Sequence, residues 1–235
     1  MVTGWPTSGK ARPNQAREPG GDSWRSGSRL REIVSFPAAM PWGGPPAPET
    51  GIRWTSRSTP QDLSWSSICW APELGIFCAV ATTGTGTRVA TSVNGREWQI
   101  RSASADNTWN SVCWSPQLRL FCAVSSSGTN TRVMTSPDGS AWTTRTSAAN
   151  NSWQAVCWSP ELSMFCAVGN SGTGNRVMTS SDGVNWSTQT SAANYGWLTV
   201  EWSPTLGLFC AVASASGDGV MTSSNGTSWT IGSSV

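Results

Sequence analysis

Glu201 is the residue with the clearest chemical potential, because it stands where its copies carry a thiol. The stretches "SICWAPELGIFCAV", "SVCWSPQLRLFCAV", "AVCWSPELSMFCAV" and "TVEWSPTLGLFCAV" are four versions of one motif. Cys69, Cys113 and Cys157 in the first three give way to Glu201 in the fourth. A carboxylate taken from water is costly or stays protonated, which makes it a candidate acid or base. The chain has no histidine. The commonest base near neutral pH and the commonest metal ligand are therefore missing. Acid–base work falls to carboxylates, the lone Tyr195, Lys or Cys, and Lys10 lies in a tail of different composition.

The elements that must position these groups follow a strict period. Trp65, Trp109, Trp153 and Trp197 are spaced by 44 residues, as are Phe77, Phe121, Phe165 and Phe209. The series Trp54, Trp98, Trp142, Trp186 ends at Trp229, one residue early, because "SASGDG" replaces the longer "NSGTGNR". Each period holds four short runs rich in β-branched and aromatic residues, such as "WNSVCW", "LFCAV", "RVMTS" and "WTTRT", bounded by turn signals. Four strands per 44-residue unit in meander order is the spacing of a propeller blade. The expected fold is an all-β propeller of about four four-stranded blades, with strands A to D in chain order. It is either a four-bladed ring or an open arc. A surplus D-like strand, "WTSRS", begins at Trp54.

Residues 1–52 are rich in Pro, Gly and Arg and carry no sustained period, which reads as a disordered tail. Residues 53–235 carry the repeats. The formal net charge of +2 gives no electrostatic case for nucleic acid or an anionic surface. No apolar run is long enough to span a bilayer, and the N-terminus lacks the apolar core of a secretory signal.

The C–D turns read "SVNGREW", "SPDGSAW", "SSDGVNW" and "SSNGTSW". Asp or Asn accepts backbone N–H groups, Gly supplies a positive φ, Ser adds a cap and Trp plugs the gap between sheets. Ser136, Asp138, Gly139 and Trp142, with Ser180, Asp182, Gly183 and Trp186, resemble the Asp-box of the sialidase-like (BNR-repeat) β-propellers. Here Asp and Gly are adjacent, one residue closer than in that family, and two copies carry Asn for Asp. The resemblance covers Trp54 to the end. It implies structural boxes and a ligand face on the opposite side, made by the D–A and B–C loops.

That face places Arg88, Arg132, Arg176, Asn150, Asn194 and Tyr195 as candidate ligand contacts. The resemblance to sialidases would ask for an arginine cluster, a Tyr–Glu nucleophile pair and an Asp acid/base. The arginines instead recur once per blade, which spreads them around the array. The expected function is therefore non-catalytic recognition of a glycan or a surface protein. A degenerate glycosidase near Tyr195 and Glu201, or a purely structural scaffold, is the alternative. No catalytic residue, metal or cofactor is assigned, since neither CxxC spacing nor His supports zinc. Self-association is expected if the ring is open.

Three further expectations are local. Most tryptophans pack the core, with Trp109, Trp153 and Trp197 the more exposed members because they follow loops. Cys69, Cys113 and Cys157 face Cys78, Cys122 and Cys166 across the A–B hairpins, as small buried hydrophobes or as disulfides. Glu201 reaches solvent or a polar partner at a seam or open edge.

Overall fold

The computed structural model describes residues 55–214 and 219–232. The expected tail (1–52), Trp54 and most of the shortened loop before Val220 lie outside the described residues. Four four-stranded antiparallel sheets form, each in simple meander order. The first blade holds β1 (Trp65–Ala71), β2 (Ile76–Ala81), β3 (Val89–Ser92) and β4 (Gln99–Arg101). The second holds β5 (Trp109–Ser115), β6 (Leu120–Ser125), β7 (Val133–Ser136) and β8 (Thr143–Arg145). The third holds β9 (Trp153–Ser159), β10 (Met164–Gly169), β11 (Val177–Ser180) and β12 (Ser187–Gln189). The fourth holds β13 (Gly196–Ser203), β14 (Leu208–Ser214), β15 (Val220–Ser223) and β16 (Thr230–Ile231). The surplus strand does not form over residues 55–58, which are exposed and unpaired with any sheet. Among the described residues no A, B and C strands precede it for it to pair with.

The blades stack in series, with β5 against β1, β9 against β5 and β13 against β9. Each of the two inner sheets packs one face on the blade before it and the other on the blade after it. Cys78, Val80 and Val89 of the first blade thus share a core with Trp109, Val112, Trp114, Phe121 and Met134 of the second. Burial on both faces explains why these strands lack polar alternation.

The cross-strand cysteines are in register as Cys69↔Cys78, Cys113↔Cys122 and Cys157↔Cys166. All seven are free thiols. Burial pushes the Cys69 thiol up to about 12 and raises Cys78, Cys113, Cys122, Cys157 and Cys166 as well.

Trp109, Trp153 and Trp197 reverse the expectation of exposure, since each is 0% exposed. A β-bulge causes this. The register of β5 shifts between Trp109 and Ser111, and that of β13 between Trp197 and Thr199. One extra residue changes the side-chain parity, so Trp109 joins Val112 and Trp114 instead of Ser111 and Cys113. Each buried indole then needs an acceptor. Trp109, Trp153 and Trp197 donate from Nε1 to the carbonyls of Ala105, Ala149 and Ala193.

The C–D turns are self-contained. Ser136 Oγ accepts the Gly139 N–H at 2.8 Å, and Asp138 Oδ1 accepts those of Ser140 and Ala141, each at 2.8 Å. Trp142 Nε1 closes the turn on Gly139 O. Ser180, Asp182, Gly183 and Trp186 repeat the arrangement. Donors from Ala141, then Ser140 and Ser136, hold the Asp138 carboxyl below its ordinary range. At Asp182 desolvation acts upward. It is outweighed by the backbone and side chain of Asn185, by Val184 and by Ser180, leaving a pKa of about 2.

Candidate functional site

The rim formed by the B–C and D–A loops is a repeated clasp. Its foundation is glycine at a tight turn. Gly84, Gly128 and Gly172 have φ of 112°, 93° and 96°. A Cβ on Gly128 would lie 2.5 Å from Asn107 Nδ2, and one on Gly172 would lie 2.6 Å from Asn151 Nδ2. Only glycine lets the D–A loop approach so closely.

The arginines supply the latch. Arg88 donates from Nε to Gly84 O and from Nη1 to Thr82 O and Asn107 O. Arg132 donates to Gly128 O and Ser126 O. Arg176 donates to Gly172 O, Asn170 O and Tyr195 O. Each guanidinium spends these donors on backbone carbonyls of its own loop or of the D–A loop, and burial lowers the Arg132 pKa. The three sit one per blade.

A second tie runs the other way. Asp106, Asn150 and Asn194 accept, on Oδ1, the backbone N–H of Gly86, Asn130 and Gly174 at 2.6, 2.7 and 2.6 Å. Asn107 and Asn151, both buried, donate from Nδ2 to Thr131 O and Asn175 O in the following blade. The first two D–A loops are thus gripped by the B–C loops of both blades that they join. Tyr195 takes the place of this asparagine before the fourth blade, and its ring packs 5.9 Å from that of Trp197. Asp106, Asn107 and Asn151 were not singled out from sequence, although their 44-residue recurrence with Asn150 and Tyr195 was the available signal. The exposed products of the clasp are Asp106, Asn150 and Asn194.

A second concave feature lies along the A strands. A groove of about 600 Å³ is lined by residues of β1, β5, β9 and β13. Ser66 Oγ donates to Trp109 O at 2.7 Å and Asn110 Nδ2 to Trp153 O at 2.8 Å, which ties successive A strands together along it. Glu201 is the one carboxylate among its lining residues. The side chain is exposed, and desolvation raises its pKa against the pull of the Trp202 N–H. Tyr195 precedes the first residue of β13 and Glu201 lies five residues into the strand. At ~3.3 Å per residue they are roughly 20 Å apart along the chain, too far for a nucleophile pair. Among the described residues no three His, Cys, Asp or Glu side chains gather as a metal set would.

No protein-family model and no curated protein matches the chain. Solved structures do. A chain of a nidogen–laminin complex aligns with a TM-score of 0.56 and 12% identity over 72% of this chain and 65% of that one. A protein described as a gluconolactonase aligns at 0.55 and 12% identity over 73% of this chain and 63% of that one. The fold is a β-propeller. A Niastella koreensis GH74 enzyme aligns at 0.49 and 20% identity over 71% of this chain and 24% of its own length. The propeller described here therefore spans just under two thirds of the first two relatives.

Proposed function

We propose that this propeller is a non-catalytic recognition module that binds glycans weakly and repeatedly through its B–C and D–A loop rim. The observation that carries this reading is the clasp. It presents Asp106, Asn150 and Asn194 in equivalent frames, one per blade junction. Exposed carboxylate and amide groups on rigid loops suit the hydroxyls of a sugar, and several similar sites gain by avidity. The boxes, read as Asp-boxes, are structural in this account. They lie at the C–D turns and contribute no ligand contact.

The separation of Tyr195 from Glu201 and the single carboxylate of the axial groove argue against glycoside hydrolysis, which uses a carboxyl pair. The test is a glycan array followed by calorimetry on the best binder. Several equivalent sites per chain, weakened together by Gly172→Ala and Gly128→Ala in folded protein, support the reading. One site coupled to sugar release would replace it with the glycosidase. Cell-surface binding that survives periodate oxidation of glycans would move the ligand to a protein. No ligand on either surface would leave a scaffold.

A further inference from the structure

We propose that the free faces of the first and fourth blades are the two halves of one joint, which a second copy of this chain completes head to tail. The joint is already formed three times within the chain, so its parts can be recognised one by one.

The first part is a turn seated in a hollow. At each internal joint a C–D turn glycine presses on the preceding blade. A Cβ on Gly139 would lie 3.0 Å from Thr91 Cγ2 and 3.4 Å from Ile76 Cδ1, and one on Gly226 would lie 2.8 Å from Met164 Sδ. Gly95, its counterpart in the first blade, meets only Phe77 of its own blade, at 3.7 Å. At the other end Leu208 and Thr222, counterparts of Ile76 and Thr91, line an open hollow of about 370 Å³. A turn without a seat and a seat without a turn stand at opposite ends of one array.

The second part is apolar. Val112, Val156 and Val200 are 4%, 5% and 2% exposed against the blades before them, while their counterpart Ile68 is 55% exposed. Val80, Val124 and Val168 are 0% exposed against the blades after them, while Val212 is 39% exposed. Val220 is likewise 38% exposed where Val89, Val133 and Val177 are 0% exposed. Such patches in a soluble array mark an interface.

The third part is polar. Ser67 and Ser111 accept, on Oγ, the backbone N–H of Val112 and Val156 across their joints at 3.1 and 3.2 Å. Thr199 keeps a hydroxyl at the free end, and the Ile68 N–H is the matching donor. No contact as extensive as those between successive A strands joins β13 to β1 among the described residues. Among the described residues, Ile68, Val212 and Val220 thus stand exposed, and the two halves are left without each other. Two copies bring two such joints, which close as a pair if the rotation allows and grow as a chain if it does not.

Glu201 sits on the fourth blade's free face, where its counterparts are cysteines. It must shed water or turn into the axial groove when the joint forms, so it keeps the association weak and reversible.

Sedimentation equilibrium of the full chain in reducing buffer tests this. The expected result is a mass that rises with concentration above the 24.9 kDa of one chain. Ile68→Arg and Val212→Asp change side chains that are exposed in the single chain, so both variants should fold, as checked by circular dichroism. Each alone should hold the mass at one chain. An equal mixture should associate again, since the two charges meet at one joint and the other joint is unaltered. Glu201→Ala should tighten association by about tenfold. A mass of one chain up to about 1 mM overturns the proposal. So does association that ignores both single substitutions, because the contact would then lie elsewhere.

Discussion

Ser180→Ala removes a single hydroxyl from a C–D turn, and the structure sets the size of the loss. Ser180 is 5% exposed. Its Oγ accepts the buried Gly183 N–H at 2.8 Å and the Asp182 N–H at 3.3 Å, and donates to Asp182 Oδ1 at 3.0 Å. Alanine leaves the Gly183 N–H without an acceptor in a place that water does not reach. One orphaned buried donor costs about 1–3 kcal/mol, and the longer bond to Asp182 adds little. The expected loss is about 2 kcal/mol, or roughly 4–8 °C in Tm for a domain of this size. Thermal and urea unfolding followed by tryptophan fluorescence measure it. Faster exchange of the Gly183 amide locates it. Ser140→Ala, at an exposed residue that serves its turn through its backbone N–H, is the control and should stay within about 0.5 kcal/mol. Ser136→Ala should repeat the Ser180 result, because its bond to Gly139 N is also 2.8 Å. A Ser180→Ala loss no larger than the control's refutes the account of the turn.

Other outcomes follow from the same geometry. Arg119 and Ser163 have φ of 49°, where their counterparts are Gly75 and Gly207 at 64° and 62°. Arg119→Gly and Ser163→Gly should each stabilise the fold by about 1 kcal/mol, read as a raised Tm. Asp182 has a folded pKa of about 2 against an ordinary 3.8. A depressed carboxylate stabilises above its unfolded pKa and loses that contribution as pH falls through the folded value, so the window is roughly pH 4 to 2. The group is largely solvent-facing, which keeps the contribution below about 1 kcal/mol. Asp138→Asn/Asp182→Asn should flatten acid unfolding in that window and change little at pH 7, since Asn225 Oδ1 accepts the same two turn N–H groups at 2.9 and 2.8 Å. Trp114 donates to Glu73 across a joint at 2.6 Å, while Trp158 uses Gln117 at 2.7 Å. Glu73→Gln should therefore be silent in urea unfolding and Glu73→Ala should cost about 1–2 kcal/mol.

The repeat carried the fold in plain view. Strand order, hairpin pairing and the cysteine register all follow from a period that puts apolar residues at fixed steps between turn signals. Trp109 shows where such reading stops. Its burial depends on a bulge at Asn110, and a single unpaired residue in a β ladder leaves no compositional mark. The arginines show a second limit. Their recurrence was legible, but the carbonyls of Gly84 and Asn107 that they hold are backbone atoms, and any residue type supplies those. Glu201 was noticed because it breaks a copied motif. Its exposure follows from its place on the outer face of the fourth blade, where no further sheet packs on β13 among the described residues, and that is a property of the array and not of the residue.

The clasp at each blade junction also bears on how such a gene changes length. The clasp joins residues 19 to 24 apart and the A-strand ties residues 43 to 45 apart, so every joint spans no more than about one period and any cut through the period returns an equivalent half-joint on each side. Unequal recombination at any phase then adds or removes whole blades without disturbing a single contact within the remaining ones. An exchange out of phase has nowhere to hide except a rim loop. The copy number of the blade is thus the easiest property of this protein to alter by inheritance, and the sequence of any one blade the hardest.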